Sequence, residues 1–406
     1  MSTFLFALKN VLRNRRRSIT TVLVAAIGCA ALLISGGFAL YTYAMLADNA
    51  ARESGHITIA DKRFFAEEEE TPMQFGIDNP NDIIAVLEQD NRIEFVLPRL
   101  SFSGLLSNGD KSVIFAGTGA NISAEIHVRG SFLQIEAGDI NPGKDINSIA
   151  AITIGKDLAR ALKAHVGSRL TLLATTADGS MNAMDAVISA IVTTGWDEAD
   201  RRLVLIDIEY AQRLLATDKV SALSVYLRDD RNVRGMQDDF LTLGSGNLMS
   251  KPWSEQAFYY ASVKALYNRI FGLLGVIIAL LVLFSVVNTL ATSVAERTRE
   301  IGTFRAIGSY PQEIVAQFVH EGMVIGIAGV FIGNVMAWGA AFLLPYLGLE
   351  MPPPPGRSIG YPLLISAPVL LYVAIDALII LLCCAAAWVA SKKAANMPIM
   401  EALRHV

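Results

Sequence analysis

The chain has 406 residues, 53% of them hydrophobic and 18% charged, with a formal net charge of −4 at pH 7. That balance is too apolar for a water-soluble protein of this size, and it points to a membrane protein with room for two or three domains. The slightly acidic charge makes no case for nucleic acid as a partner. The three cysteines, Cys29, Cys383 and Cys384, lie in apolar runs, where they build neither an extracellular disulfide framework nor a zinc site.

Residues Phe4–Leu12 set Phe4, Leu5, Leu8, Val11 and Leu12 against Lys9 and Asn10. This is the pattern of a helix lying in the membrane interface, and it predicts an amphipathic elbow over residues 1–18. Arg13, Arg15, Arg16 and Arg17 follow, and then the apolar run Ile19–Met45. A cleaved signal peptide has an apolar core of roughly 7–15 residues, and this run is longer. It exceeds the roughly 20 residues that cross a bilayer, so residues 19–47 are the first span. The arginines hold the N-terminus on the cytoplasmic side.

Over residues 48–263 charges return and the apolar runs shorten to strand length. His56–Ala60, Ile93–Leu97, Ser101–Leu106, Ser112–Gly117, Ala150–Gly155, Arg169–Thr175, Ala186–Thr194, Leu203–Ile206 and Ala222–Leu227 read as strands. Asn81–Gln89, capped by Asn81, Lys156–Ala164 and Glu209–Leu215 read as helices. Ser107–Asp110 is a hairpin turn, and Ala177–Ala183 is a flexible connection. Glu67–Glu70 with Thr71-Pro72 is a solvated loop, because four adjacent acids cannot all face one metal ion. The pattern predicts an α+β domain between the first and second spans, on the side opposite the arginines and hence extracytoplasmic.

Phe258, Tyr259, Tyr260 and Tyr267 suit an interfacial aromatic belt. Three further spans follow, at about 266–295, 314–344 and 367–390. Pro345–Pro362 is an outer loop stiffened by Pro352–Pro355. Gly322, Gly326, Gly329 and Gly333 recur every three or four residues, which lets helix backbones approach closely. Gly28, Gly36 and Gly37 predict a small-residue face packing on the second span or on a partner. Four spans with both termini inside place Arg13–Arg17, Arg297–Arg305 and Lys392–Lys393 on one side.

Between the second and third spans lies Glu296–Pro311, reading E-R-T-R-E-I-G-T-F-R-A-I-G-S-Y-P. A charged hairpin between two spans must lie in water. Ile301, Phe304, Arg305 and Gly308 fall at helical spacing, so one face of a short helix is apolar, and Gly308 followed by Pro311 reads as a helix stop and restart.

No catalytic constellation is present. The five histidines have no ligand spacing, and no G-x-x-x-x-G-K-[ST] loop cradles a nucleotide. Among intramembrane polar residues, Asp376, Glu321 and Asn288 are candidates for a functional role. Asp376 has the alternative of a structural bond to Asn288 or Ser285. Glu321 is placed to pair with the arginines of the hairpin.

The string E-R-T-R-E-I-G-x-x-R-A-I-G, followed by I-x-x-Q-F-x-x-E-G, resembles the permease core of FtsX/MacB-like ABC transporters. The resemblance runs from about Ser262 to the C-terminus and includes the tail string P-I-M-E-A-L. It implies an FtsX-like permease domain over 264–406 and a MacB-like periplasmic core domain over 48–263. The part of that domain nearest the membrane is then Gly55–Asn121 and Asp197–Gly244, with an insert between. It implies a coupling helix at about 296–311. There Glu296, Arg297, Arg299, Glu300, Ile301, Gly302, Phe304, Arg305, Ala306 and Gly308 would meet a cytoplasmic ABC ATPase dimer. ATP and Mg would be bound by that partner, and this chain would hold no cofactor or metal of its own. The other implied partners are a second permease copy or paralogue, membrane lipids, and a periplasmic carrier or membrane-fusion protein. The place is the bacterial inner membrane, with both termini cytoplasmic. The layout is closest to lipoprotein-releasing permeases of the LolC/LolE type. It implies a mechanotransmission transporter acting on a lipoprotein or lipid-like substrate. A macrolide-exporter-type permease for a drug, peptide or haem, or an FtsX-like signal transducer, is the alternative.

Overall fold

The computed structural model describes residues 15–66, 71–140, 145–146, 149–229, 233, 236, 247–351 and 360–404. The helix expected at 4–12, the acidic loop Glu67–Glu70 and the proline run Pro352–Pro355 lie outside the described residues. The chain divides into two compact units. One comprises Met1–Ala44, Val263–Glu350 and Pro362–Val406, the other Met45–Ser262 and Met351–Tyr361.

The first unit is helical. Its long helices are Arg15–Ser54, Phe258–Glu296, Pro311–Leu343 and Val369–Ala395. Each is long and apolar enough to cross a membrane. The first, second and last extend past their apolar runs, because propensity and not hydropathy sets where a helix ends. Val22, Cys29 and Leu33 of the first helix, Val282 and Val286 of the second, Ile325 of the third and Ile379 and Cys383 of the fourth form one buried core. The third helix uses its glycines for close approach. A Cβ at Gly322 would stand 2.7 Å from the carbonyl oxygen of Cys383, and one at Gly333 would stand 2.6 Å from the Cβ of Cys29. Of the glycines expected to face the second span, Gly28 does so, against Val282. Gly36 and Gly37 instead meet Leu371 and the carbonyl of Ser366, at the start of the fourth helix. Outward, Leu281, Phe284, Phe331, Trp338, Leu370 and Leu381 stand exposed, a surface suited to hydrocarbon and costly in water.

The second unit is an α/β domain. Its strands are β1 (Ile57–Asp61), β2 (Ile93–Ser107), β3 (Ser112–Ala120), β4 (Gln134–Gly138), β5 (Asp145–Ile146), β6 (Ile149–Gly155), β7 (Arg169–Thr175), β8 (Met181–Thr193), β9 (Leu203–Asp207), β10 (Ala222–Leu227) and β11 (Leu248–Pro252). They form one sheet in the order β11-β1-β10-β2-β3-β9-β6-β8-β4, with β5 on β6 and β7 on β2 and β8. Because β9 pairs with both β3 and β6, one continuous sheet joins the strands of residues 57–120 to those of residues 149–193. β10 is buried along its whole length, and its two polar side chains, Ser224 and Tyr226, spend their hydroxyls on backbone carbonyls. Helix Ile208–Leu215 turns Tyr210, Ala211, Leu214 and Leu215 into the core.

Three local expectations are corrected. Ile93–Leu97 and Ser101–Leu106 are a single strand, β2, because the extended backbone that proline and its predecessor prefer carries the chain through Pro98. The connection Ala177–Ala183 is a tight hairpin in which β8 starts at Met181 and pairs with β7, and the Thr176 hydroxyl bonds Asp178 and the Ser180 carbonyl. The helix expected from Asn81 is Pro80–Leu87, preceded by Asn79 in a left-handed conformation with φ +49°. Proline fits the first helical position, where its missing N–H costs nothing.

A buried polar network holds the C-terminal end of the first helix within this unit. Glu125 is fully buried and accepts from Arg99 Nη2 at 2.8 Å and Nε at 3.1 Å, and from Arg129 Nε at 2.6 Å. Arg99 Nη1 donates to the Glu53 carbonyl, and its Nη2 reaches the Tyr226 hydroxyl at 3.0 Å. Tyr226 in turn donates to the Arg52 carbonyl at 2.9 Å, and Ser224 to the Ser54 carbonyl at 2.8 Å. The orphan carbonyls of a helix end are thus met by side chains of β2 and β10. Burial by itself would raise the Glu125 pKa, but Arg129 and Arg99 outweigh it and hold the carboxyl below the usual range. Burial pushes the Tyr226 phenol up to about 12.

Candidate functional site

The hairpin between the second and third long helices is built from both sides. The second helix ends at Glu296, a short helix runs Thr298–Ala306, and Gly308 at φ +111° breaks it. Pro311 opens the third helix, where the Glu313 carboxylate accepts the Tyr310 N–H at 3.0 Å. Ile301 is buried in a small cluster with Val294, Ile314, Phe318, Ala394 and Ala395.

Two arginines fasten the hairpin. Arg297 Nη1 meets both carboxylate oxygens of Glu321, at 3.0 and 3.3 Å, while its Nε donates to Glu300 at 3.1 Å and its guanidinium lies over the Phe318 ring. Burial alone would lower the pKa of Arg297, but Glu321 and Glu300 outweigh it and raise it. Arg305 Nη1 donates to the Met397 carbonyl at 2.6 Å. That ties the short helix to the tail, where Pro398 precedes helix Ile399–Arg404 and Ala402 is buried.

The helical face expected from Ile301, Phe304, Arg305 and Gly308 splits. Thr298, Ile301, Gly302 and Arg305 turn inward; at about 100° per residue this leaves Phe304 about 110° away, facing out. Glu296, Arg299, Glu300, Ala306 and Gly308 are exposed as well. Phe304 (43% exposed), Ile307 (80%) and Tyr310 (71%) form an outward apolar ridge beside these charges. Ile307 is an apolar residue of the hairpin that the sequence already marks as a docking type, whereas Tyr310 belongs to this ridge although the sequence reading did not single it out. Its signal was an aromatic residue just after a glycine break.

Asp376 is half-buried in the fourth helix. It accepts from Asn334 Nδ2 of the third helix at 3.0 Å and from the Cys29 thiol of the first at 3.8 Å. The partner is therefore neither Asn288 nor Ser285. Asn288 is exposed on the second helix, and the backbone carbonyls of both residues accept from threonines one turn on. Asn334 Oδ1 is buried without a hydrogen-bond partner among the described residues. Asn334 was legible only as a polar residue next to Gly333 in an apolar run. Asp376→Ala is expected to leave insertion intact and to lower stability by about 1 kcal/mol, the scale of one interhelical bond in a membrane. Denaturation of the protein reconstituted in bicelles measures this.

Residues 272–399 match the FtsX-like permease C-terminal family. Over 273 residues the chain is 25% identical to the lipoprotein-releasing system transmembrane protein LolC of Xylella fastidiosa strain Temecula1, covering 64% of this chain and 65% of the relative. Over 164 residues it is 28% identical to the macrolide export ATP-binding/permease protein MacB of Bdellovibrio bacteriovorus, covering 36% of this chain and 24% of that protein. The chain thus spans just under two thirds of the LolC relative's length and about a quarter of the MacB relative's. Among solved structures, the periplasmic region of MacB from Actinobacillus actinomycetemcomitans is similar with a TM-score of 0.36 at 14% identity, covering 49% of this chain and 89% of that one.

Proposed function

We propose that this chain, whose residues 272–399 carry an FtsX-like permease domain, is the membrane subunit of an ATP-driven mechanotransmission ABC transporter. The single observation that carries the reading is the outward ridge Phe304–Ile307–Tyr310, presented by a hairpin pinned to the third helix through Arg297–Glu321 and to the tail through Arg305. An apolar ridge rimmed by charge is a protein-docking surface. The partner that fits is a cytoplasmic ABC ATPase dimer that would bind the ATP and Mg, since the sequence of this chain has no G-x-x-x-x-G-K-[ST] string. ATP-driven closure of that dimer pushes the hairpin, and the helices Arg15–Ser54 and Phe258–Glu296, which have residues in both units, carry the motion to the α/β domain outside the inner membrane. A second permease copy or paralogue completes the complex.

Similarity to LolC supports a lipoprotein or lipid-like cargo, passed to a periplasmic carrier. Similarity to MacB supports the alternative of drug, peptide or haem export with a membrane-fusion protein. FtsX-like signalling without transport is the remaining alternative.

The test is a single-cysteine series in native membranes, with Ile307→Cys carrying a cross-linker and Arg299→Cys probed with an impermeant maleimide. The expected result is that Ile307→Cys captures a nucleotide-binding subunit, identified by mass spectrometry, and that Arg299→Cys is labelled from the cytoplasmic face only. Labelling of Arg299→Cys from the exterior overturns the reading.

A further inference from the structure

The α/β domain contains a cavity of about 330 Å³ that lies beside the network around Glu125. That volume is at the lower end of small-molecule sites, which run from about 300 to 1,000 Å³. Its floor includes Ala116 and Thr118, successive same-face positions of β3, and its walls include Phe132 and Trp196. The cations around it differ in how far they are committed. Arg52 pairs with Asp48 at 2.9 Å and donates to the Val128 carbonyl, and Arg202 pairs with Glu198 at 3.4 Å. Arg129 is held by its Nε alone, against Glu125, and among the described residues its two Nη groups make no hydrogen bond. The opposite oxygen of Glu125 is occupied twice by Arg99, so one carboxylate serves two buried guanidinium groups. Glu53, the other carboxylate at the rim, is exposed; among the described residues it forms no ion pair within 4 Å, although its charge, after that of Glu125, acts on Arg129.

We propose that this cavity binds a compact organic anion with a flat apolar body, its carboxylate or comparable charged group seated on Arg129 and its body between Phe132 and Trp196. A guanidinium with two open Nη groups presents a fork that matches a planar carboxylate. Aromatic walls favour a flat body over a flexible chain, and the small volume excludes a whole lipid. Arg129 shares Glu125 with Arg99, and Arg99 holds the carbonyl of Glu53 at the end of the first helix. An anion on Arg129 therefore bears directly on the grip that the domain keeps on that helix.

The test uses the full chain in nanodiscs, with empty nanodiscs as blank, titrated calorimetrically with 2-naphthoate. Saturable binding is expected, at least tenfold tighter than that of neutral 2-naphthamide and of acetate, which lack the charge and the body respectively. Arg129→Gln should weaken 2-naphthoate at least tenfold. Because that variant also disturbs the network, Ala116→Phe, which fills the floor without touching Arg129 or Glu125, should abolish binding in a protein of unchanged circular dichroism. Equal affinity for acid and amide, absence of saturable 2-naphthoate binding, or undiminished binding in Ala116→Phe overturns the proposal.

Discussion

Glu125→Ala is expected to lower the unfolding free energy of the α/β unit by about 3–5 kcal/mol, the cost of removing one partner from a buried ion cluster. For a unit of this size that is a fall of about 6–20 °C in its melting temperature. Two largely buried guanidinium groups would lose their shared carboxylate, and Arg99 would keep only its bonds to backbone and hydroxyl groups. The loss should be local first: hydrogen exchange in peptides from β2 and β10 should accelerate before that in β6 and β8, neither of which pairs with β2 or β10. The cluster also gives the unit a defined acid limb. The pKa of Glu125 is depressed in the folded state, so its contribution is fully present above the ordinary glutamate pKa of about 4.3 and is lost as pH falls through the lower folded value. Glu125→Gln, which cannot ionise, should flatten that acid limb while retaining part of the hydrogen bonding. A melting temperature of Glu125→Ala within 2 °C of the parent, on the order of a surface substitution, would show that the network carries no such load.

Much of the fold was legible because its signals are local. A span needs about 20 apolar residues in a row, and the four runs satisfy that without reference to anything else. The hairpin turn at Asn108–Gly109 declares itself through Asn108 Oδ1, which accepts from the N–H groups of Asp110 and Lys111. What was not legible depends on residues far apart in sequence. Arg99, Glu125 and Tyr226 meet across separations of 26 and 127 residues, and each alone is an ordinary polar residue in or beside a strand or short helix. Asp376 finds Asn334 only because Gly322 and Gly326 let the third helix close on Cys383 and Ile380 of the fourth, and periodicity within one helix does not say which neighbour it meets. At the hairpin, spacing put Ile301 and Phe304 on one apolar face among the residues expected to meet the ATPase, whereas Ile301 packs inward and Phe304 faces out. Three residues are nearly but not quite one turn, and the direction of the core is set by the third and fourth helices.

Phe304→Asp combined with Ile307→Asp is expected to abolish ATPase binding while leaving the membrane unit folded. Both side chains are exposed, so neither substitution buries a charge within the chain. On the proposed docking surface they are the anchors, and a truncated anchor typically costs about 2 kcal/mol or more. Two together would weaken the complex about a thousandfold, since about 1.4 kcal/mol is a factor of ten. Introduced carboxylates placed against a partner surface add desolvation to that loss. The control that separates docking from transmission is Arg297→Ala. Its guanidinium is largely enclosed between Glu321 and Phe318, so it touches the interior and not the partner. That variant should retain ATPase binding yet lose coupled turnover, because the hairpin is no longer fastened to the third helix and yields without moving it. Glu300→Ala removes only an exposed member of an ion pair and should change affinity by no more than about 1 kcal/mol. Co-purification from detergent and cargo-stimulated ATPase activity read the two properties separately. If the double aspartate variant co-purifies with the ATPase as the parent does, the ridge is not the docking surface.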